Sequence, residues 1–222
     1  MQIKIHREGK NYFIASLILS LFFLFLFPFM GLILFVLSLY IFYFFRDPIR
    51  SIPEEDVIVS PADGIITFVD FMLPPKELEI KEEYIKVSIF LNIFNVHVNR
   101  MPTNGIIKKI KYIKGKFINA TLDKSSLHNE RNIILIEKKN NDFLIVTQIA
   151  GLIARRIISD IKEKQEIKKG YRFGIIKFGS RVDLYMPKNY KPLVAVGQVV
   201  VAGETIIANP NKIEKISNSF RN

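Results

Sequence analysis

From Asn11 to Phe45 the sequence contains no charged residue, and most positions in this run are Leu, Phe, Ile or another apolar residue. A single helix of these 35 residues would be about 50 Å long, which is too long for one passage through a hydrocarbon core of about 30 Å. Pro28 lies near the middle of the run, and proline ends or kinks a helix. The run therefore predicts a transmembrane hairpin of two short hydrophobic helices broken at Pro28.

Basic residues flank this run on both sides, namely Lys4, Arg7, Lys10, Arg46 and Arg50. The positive-inside rule then places both ends of the hairpin on the cytoplasmic side. A cleaved signal peptide is the alternative, but its apolar region would be shorter, and no small-residue cleavage site follows Phe45. We therefore predict an uncleaved anchor over residues 1–50 in the cell membrane, with the rest of the chain facing the cytoplasm.

The composition changes after the anchor to the polar, proline-containing stretch 51–56, which marks a domain boundary. Beyond it, short β-branched runs alternate with turn residues, a pattern typical of strands. Strands are predicted at 57–59, 64–69, 84–90, 105–107, 133–136, 143–146 and 199–201. Helix is predicted only in the short stretches 92–95 and 153–161. Residues 51–222 should form one β-rich α+β domain.

Two stretches, 60–67 and 194–208, place glycine turns between short valine and isoleucine strands. This pattern of glycine turns and short strands resembles the barrel sandwich of lipoyl and biotinyl carriers, a fold that membrane-anchored adaptors also use. A barrel-sandwich-like domain behind the transmembrane hairpin is therefore predicted. One alternative function is an adaptor or carrier-like protein without enzymatic activity, although the chain has no hairpin that presents an attachment lysine and no coiled coil.

Composition limits the chemistry that is open to this chain. It has no cysteine, which excludes disulfides, thiolate metal sites and a cysteine nucleophile, and its three histidines predict no metal site. The net charge of +11 favours an anionic partner. A lysine cluster at Lys108, Lys109, Lys111, Lys114 and Lys116 fits either an anionic membrane surface or a solvated loop. Nucleic acid is not predicted, because no helix-turn-helix or aromatic platform accompanies these charges.

The Gly179-Ser180 bond interrupts two runs of alternating apolar residues, 173–178 and 181–186, which predict two strands joined by a tight link. Glycine permits unusual backbone angles, so the Ser180 hydroxyl could reach back to the Gly179 carbonyl. An ordinary turn is the alternative. His97, between two valines, is a candidate base or a satisfied polar residue. Asp63, in an Asp-Gly pair, is a candidate partner or a plain turn aspartate.

Five stretches together resemble the phosphatidylserine decarboxylase family in its shorter membrane-anchored form. They are Phe45-Arg46-Asp47-Pro48, Ser60-Pro61-Ala62-Asp63-Gly64, Asn95-Val96-His97-Val98-Asn99-Arg100, Asn129-Glu130-Arg131 and the segment from Arg172 to Ser180. The resemblance implies that the proenzyme cleaves itself between Gly179 and Ser180. The products would be a β chain, 1–179, and an α chain, 180–222, that stay together as a heterodimer. Ser180 would become a covalent pyruvoyl cofactor, and the enzyme would convert phosphatidylserine to phosphatidylethanolamine.

The resemblance also implies roles for individual residues. Ser180 is the nucleophile in processing and, as the pyruvoyl group, the Schiff-base site for the substrate amine. His97 is the base, oriented by Asp63 as in a serine protease, and we hypothesise that it later acts as the acid in decarboxylation. The expected headgroup ligands are Arg100, Asn129, Glu130 and Arg131. Longer forms of the family have a second histidine where this chain has Arg100, and that histidine is the one usually assigned to the processing triad, so the base role passes to His97 by elimination. The longer forms also have Thr or Ser at the position of Arg181. The exact serine lipid and any assembly beyond the heterodimer stay open.

Overall fold

The computed structural model describes residues 3–115, 128–151, 156–177 and 180–210, and a pair of apolar helices follows its short first strand. Helix α1 spans Arg7–Leu26 and helix α2 spans Pro28–Phe44. Pro28 is the first residue of α2, where the missing N–H of proline costs no helical hydrogen bond. The predicted pair of helices broken at Pro28 is confirmed. Helix α1 begins before the uncharged run, because His6 accepts a hydrogen bond from the Glu8 N–H and caps the helix.

The two helices pack closely against each other through small residues. A Cβ on Gly31 would lie 2.3 Å from the backbone nitrogen of Leu24, so only glycine allows this approach. Ser20 and Ser38 are buried in the pair. The outward faces remain apolar and exposed. Among the described residues, α1 is the one helix that is long and apolar enough to cross a membrane, and α2 is apolar but shorter.

The rest of the described chain consists of short strands and one turn of 3₁₀ helix at Lys76–Leu78. The strands of the first half are β1 (Ile3–Ile5), β2 (Arg46–Pro48), β3 (Ile58–Val59), β4 (Gly64–Met72), β5 (Tyr84–Leu91), β6 (Val98–Arg100) and β7 (Gly105–Ile113). Those of the second half are β8 (Arg131–Glu137), β9 (Phe143–Ala150), β10 (Ile157–Ser159), β11 (Glu166–Ile167), β12 (Arg172–Ile176), β13 (Ser180–Met186), β14 (Lys191–Pro192), β15 (Val199–Val200) and β16 (Ile206–Asn209). The seven strands predicted between residues 57 and 201 are confirmed. Five of them are longer than predicted, and β3 and β15 are each one residue shorter.

Eight antiparallel strands form the main sheet, in the order β11-β7-β8-β9-β13-β5-β4-β15. The sheet curls into a half-barrel, and register shifts in the β4–β5 and β7–β8 pairs accompany the curl. Two three-stranded sheets, β10-β12-β6 and β14-β16-β3, complete the domain, and β1 pairs with β2 at the base of the helices. The β-rich class with an apolar helical pair is therefore confirmed.

The helices predicted beyond residue 50 are wrong within the described residues. Residues 92–95 form a turn, because the side chain of Asn92 accepts a hydrogen bond from the Phe94 N–H and that of Asn95 from the Asn92 N–H. Asparagine side chains compete in this way with helical hydrogen bonds. Residues 157–159 form strand β10, paired with β12, and residues 153–155 of that predicted helix lie outside the described residues.

The two strands that flank the Gly179-Ser180 bond belong to different sheets. Strand β12 lies in a three-stranded sheet with β6 and β10, whereas β13 is a central strand of the main sheet. All seven residues of β13 are buried between β5 and β9. The chain therefore passes from one sheet to the other just before Ser180. Gly179 itself lies outside the described residues.

Candidate active site

Ser180 occupies the first position of the central strand β13. Its register partners are Leu91 on β5 and Ala150 on β9, and its side chain is fully buried. Side chains alternate along a strand, so Ser180 shares a face with Val182 and Leu184 of the main hydrophobic core. Among the described residues its hydroxyl has no hydrogen-bond partner. A buried, unpartnered hydroxyl is unusual and marks a candidate reactive group.

His97 lies beside the strand that leads to Ser180. It directly precedes β6, which pairs with β12, and its carbonyl accepts a hydrogen bond from the Ile176 N–H at 3.4 Å. The imidazole is fully buried, and its Nδ1 lies 3.0 Å from the Asn95 carbonyl oxygen. Because a carbonyl can only accept, Nδ1 carries the proton and Nε2 keeps its lone pair. Nε2 has no partner in the described part of the chain, so this tautomer is the one that a base requires.

The surroundings of His97 keep its imidazole neutral. Burial lowers the pKa of His97 from 6.5 to about 4, and the positive charge of Arg46 acts in the same direction, while the Asn95 carbonyl opposes it. The Phe44 ring, at the end of α2, lies against the imidazole with 4.2 Å between ring centroids. At neutral pH the ring is therefore unprotonated at Nε2.

Asp63 is occupied by contacts other than His97. Its Oδ2 accepts from the Arg50 guanidinium at 2.7 Å, and its Oδ1 accepts from the Ala202 N–H at 2.8 Å. Burial raises the pKa of this carboxyl, although Arg50 and the Ala202 N–H act against the rise. No hydrogen bond joins Asp63 to His97 among the described residues, and the Asn95 carbonyl takes the Nδ1 position that an orienting carboxylate would fill. Arg46 lies within electrostatic range of both side chains.

Arg100 connects its own motif, residues 95–100, to the motif at residues 45–48. Its guanidinium donates to the Asp47 carboxylate at 2.8 Å, to the Pro48 carbonyl at 2.9 Å and to the Gly170 carbonyl at 3.2 Å. Arg172 forms a second ion pair with Asp47. Only 4% of Arg100 is exposed, so its described contacts are internal to the domain.

The other three predicted headgroup ligands lie close together but point in different directions. Asn129 is fully buried and donates through Nδ2 to the carbonyl of Ala150, the register partner of Ser180, at 2.7 Å. Glu130 accepts from the Ile157 N–H at 3.1 Å. Arg131 lies on the opposite face of the main sheet from Ser180, pairs with Glu77 and lines a cavity of about 390 Å³. Asn129 is therefore the member of this set that the fold brings next to the strand position of Ser180.

A chain of buried amides on the Ser180 face escaped the sequence analysis. Asn132 on β8 donates to Gln148 on β9 at 3.0 Å, and Gln148 donates to Asn99 on β6 at 2.8 Å. All three are at most 1% exposed, and Asn99 Nδ2 has no partner among the described residues. Gln148 opposes Val182, two residues from Ser180. The available signal was a single amide, Gln148, inside a strand of mostly apolar residues.

The helical pair forms one wall of this site. Phe44 and Phe45, where α2 ends, pack with Val96, Val98 and Ile175 in a second hydrophobic cluster around His97. The ammonium of Lys177, three residues before Ser180, pairs with Glu8 of α1 at 3.3 Å and lies 5.1 Å from the Tyr12 ring centroid. The candidate site therefore sits directly at the base of the apolar helices.

The fold and site define a class of protein: a strand-rich domain with a buried serine at the start of a central strand and a buried histidine packed against the base of an apolar helical pair. Comparison with known proteins identifies the family. The model of the phosphatidylserine decarboxylase family matches residues 37–208. This chain therefore belongs to the phosphatidylserine decarboxylase family.

Curated relatives from Rickettsia species match nearly the whole chain. The phosphatidylserine decarboxylase proenzymes of Rickettsia akari and Rickettsia felis are each 52% identical to it over 208 residues, and that of Rickettsia typhi is 51% identical. Each alignment covers 92% of this chain and 90% of the relative. The family resemblance noted in the sequence is confirmed.

Proposed function

We propose that this chain is a membrane-anchored proenzyme that cleaves itself between Gly179 and Ser180 and then decarboxylates phosphatidylserine to phosphatidylethanolamine. The observation that carries the proposal is the buried hydroxyl of Ser180, which has no partner among the described residues, in a chain of this family. His97, buried and neutral with an available Nε2, supports it as the base.

In the proposed processing step, His97 Nε2 accepts the hydroxyl proton of Ser180 while the oxygen attacks the Gly179 carbonyl carbon. The peptide bond thereby becomes an ester, and the nitrogen of Ser180 becomes a free amine. Elimination of the ester releases the carboxylate of Gly179 and leaves dehydroalanine at position 180. Addition of one water then yields the pyruvoyl group and ammonia. This water is the one co-reactant that the balance needs.

The residues present fit a pyruvoyl group at position 180. The Ser180 hydroxyl that processing consumes makes no hydrogen bond with the described residues, so its loss breaks no such contact of the folded domain. The group supplies a ketone that condenses with the substrate amine and draws electrons as CO₂ leaves. The chain's own residues would exclude water and hold protons. His97 is proposed to return one proton to the product, which is its second role.

The remaining predicted site residues enter the proposal with different roles. Asn129 is proposed to contact the headgroup, because its side chain already reaches the strand position beside Ser180. Glu130 and Arg131 are proposed to hold that segment in place, and Arg100 to fix the Asp47 motif at the base of the helices. Asp63 is proposed to influence His97 electrostatically. Its carboxylate balances the charge of Arg50, and the charge of Arg46 acts on both Asp63 and His97.

The proposed substrate explains the helical pair. A diacyl lipid leaves a bilayer at a cost of about 0.8 kcal/mol for each CH₂ group exposed, so the site must work at the membrane surface. The apolar pair would hold it there, on the cytoplasmic face of the cell membrane. The described lysines of the basic cluster, Lys108, Lys109, Lys111 and Lys114, would add attraction to anionic lipid.

The test uses the purified full chain in vesicles that contain phosphatidylserine. The 25.7 kDa chain is expected to appear on a denaturing gel as fragments of about 21 kDa and about 5 kDa, in proportion to their residues. Mass spectrometry should detect a pyruvoyl group at the start of the small fragment and phosphatidylethanolamine in the vesicles. A chain that stays whole and leaves the lipid unchanged would contradict the proposal and favour the adaptor alternative.

The depressed pKa of His97 makes a separate prediction about processing. A base with an ordinary pKa of about 6.5 loses roughly three-quarters of its neutral form at about pH 6. With a pKa of about 4, His97 stays neutral throughout this range, so the rate of self-cleavage should be nearly constant from about pH 8 to about pH 6. Freshly synthesised chain, sampled over time on gels at each pH, provides the measurement. A rate that falls to about a quarter at pH 6 would show that the base is more exposed than His97.

A further inference from the structure

The turn between β5 and β6 exposes two large apolar side chains beside the helical pair. Phe94 is 59% exposed and Ile93 is 37% exposed, although both follow a strand that is almost entirely buried. Apolar side chains that are displayed together on a turn are typical of interaction sites rather than of a folding core.

This turn is fixed in shape by its own asparagines. The Asn92 side chain accepts from the Phe94 N–H, and the Asn95 side chain accepts from the Asn92 N–H, each at 2.8 Å. The Asn95 N–H in turn donates to the Asn92 carbonyl at 3.1 Å. The exposure of Ile93 and Phe94 is therefore a property of an ordered turn.

Two further hydrogen bonds tie the turn to the base of the helical pair. The Tyr40 hydroxyl of α2 donates to the Ile93 carbonyl at 3.3 Å, and the Arg46 guanidinium donates to the Phe94 carbonyl at 2.8 Å. The same guanidinium stacks over the Tyr43 ring at 3.7 Å. Tyrosine and arginine together at the end of an apolar helix are typical of the membrane–water interface. The turn thus lies at the depth where α2 leaves the apolar region.

We propose that Ile93 and Phe94 insert into the interfacial layer of the lipid bilayer and form a second membrane contact beside the helices. The occupant is lipid, because the exposed side chains continue the apolar surface of the helical pair and meet it at a tyrosine–arginine boundary. The proposal rests on the membrane anchoring proposed above. It gives the turn a direct connection to the site, because the Asn95 carbonyl that ends the turn also holds Nδ1 of His97.

The chain contains no tryptophan, so a single indole can report on this position without background. Phe94→Trp places the reporter on the turn. Phe71→Trp is the matched control, because Phe71 is 54% exposed but pairs with Ile85 near the other end of β5, whereas the turn follows Leu91. Six residues of strand separate the two ends by about 20 Å. Phe22→Trp, on the exposed face of α1, reports the anchor itself.

Each full-length variant is reconstituted into vesicles of phosphatidylcholine and phosphatidylglycerol, with and without bromine on the acyl chains near the headgroup. With Phe94→Trp we expect the emission to shift to shorter wavelength and most of it to be quenched by the brominated lipid, whereas Phe71→Trp stays unshifted and unquenched. If Phe22→Trp is quenched but Phe94→Trp is not, the turn proposal is wrong and the anchor stands. If neither variant is quenched, the turn proposal and the proposed membrane anchoring are both wrong. A blue shift of Phe94→Trp without lipid quenching would mean that a second copy covers the turn, which also overturns the proposal.

Discussion

Replacing Ser180 with alanine should leave the chain at its full 25.7 kDa and abolish decarboxylation. Ser180→Ala removes the oxygen that attacks the Gly179 carbonyl and, with it, the source of the pyruvoyl group. The substitution deletes a buried hydroxyl without a partner among the described residues, so it should not weaken the fold. Gels of freshly made chain and the conversion of phosphatidylserine in vesicles provide the measurements.

The neighbouring strand supplies a matched control for this substitution. Ser88 on β5 is buried as well, at 2% exposed, and its hydroxyl also lacks a partner within the described ranges, but it opposes Asp183 on the other face of the sheet. Ser88→Ala should therefore cleave and turn over like the unaltered chain. Ser180→Cys should still cleave, because a thiol can perform the same acyl shift. Cleavage of the Ser180→Ala chain at the 179–180 bond would rule out Ser180 as the nucleophile.

Replacing His97 with alanine should slow self-cleavage by about 10²- to 10⁴-fold, the usual contribution of a positioned general base. His97→Ala also leaves a space beside Phe44, so His97→Gln is the companion variant that keeps most of the volume and a donor for the Asn95 carbonyl. Both variants should remain folded by circular dichroism while uncleaved chain accumulates on gels over time.

The control for His97 is His128→Ala. His128 is exposed and belongs to the polar segment before β8, so its loss should leave the rate of cleavage unchanged. If His128→Ala blocks cleavage and His97→Gln does not, the base lies in the segment from His128 to Glu130.

Comparison with Asp63→Asn then shows whether the Asp63 carboxylate contributes to cleavage. This variant keeps an acceptor for the Ala202 N–H but loses the charge that faces Arg50.

The parts of this molecule that depend on local sequence were predictable. An uncharged run with a central proline allows few structures other than two apolar helices, and both helices lie where Pro28 predicts them. Alternation of β-branched residues gave the strands, because the two faces of each strand meet different environments. The turn at residues 92–95 was wrongly predicted as helix, because its shape depends on two asparagine side chains that bond to the backbone.

The contacts of the site depend on partners that are distant in sequence, so pattern alone could not supply them. The Asp63 carboxylate meets Arg50 and Ala202, and the latter is 139 residues away along the chain. The amide chain through Gln148 exists only because three strands from two sheets meet at one level. In contrast, Ser180 could be proposed from the sequence alone, because the chemistry proposed for it requires only the Gly-Ser bond, which is visible in the sequence itself.

The contact of Phe44 with His97 means that the two ends of the helical pair face different evolutionary constraints. The tip around Phe25 and Phe29 is highly exposed, so any bulky apolar residue there can be exchanged for another with little consequence. Phe44 is fully buried against the imidazole, and its replacement alters the surroundings of the proposed base. Residues in the last turn of α2 should therefore be as constrained as those of the strand-rich domain. Recombination that exchanges the helical pair between relatives should require that Phe44 and the domain that contains His97 come from the same parent.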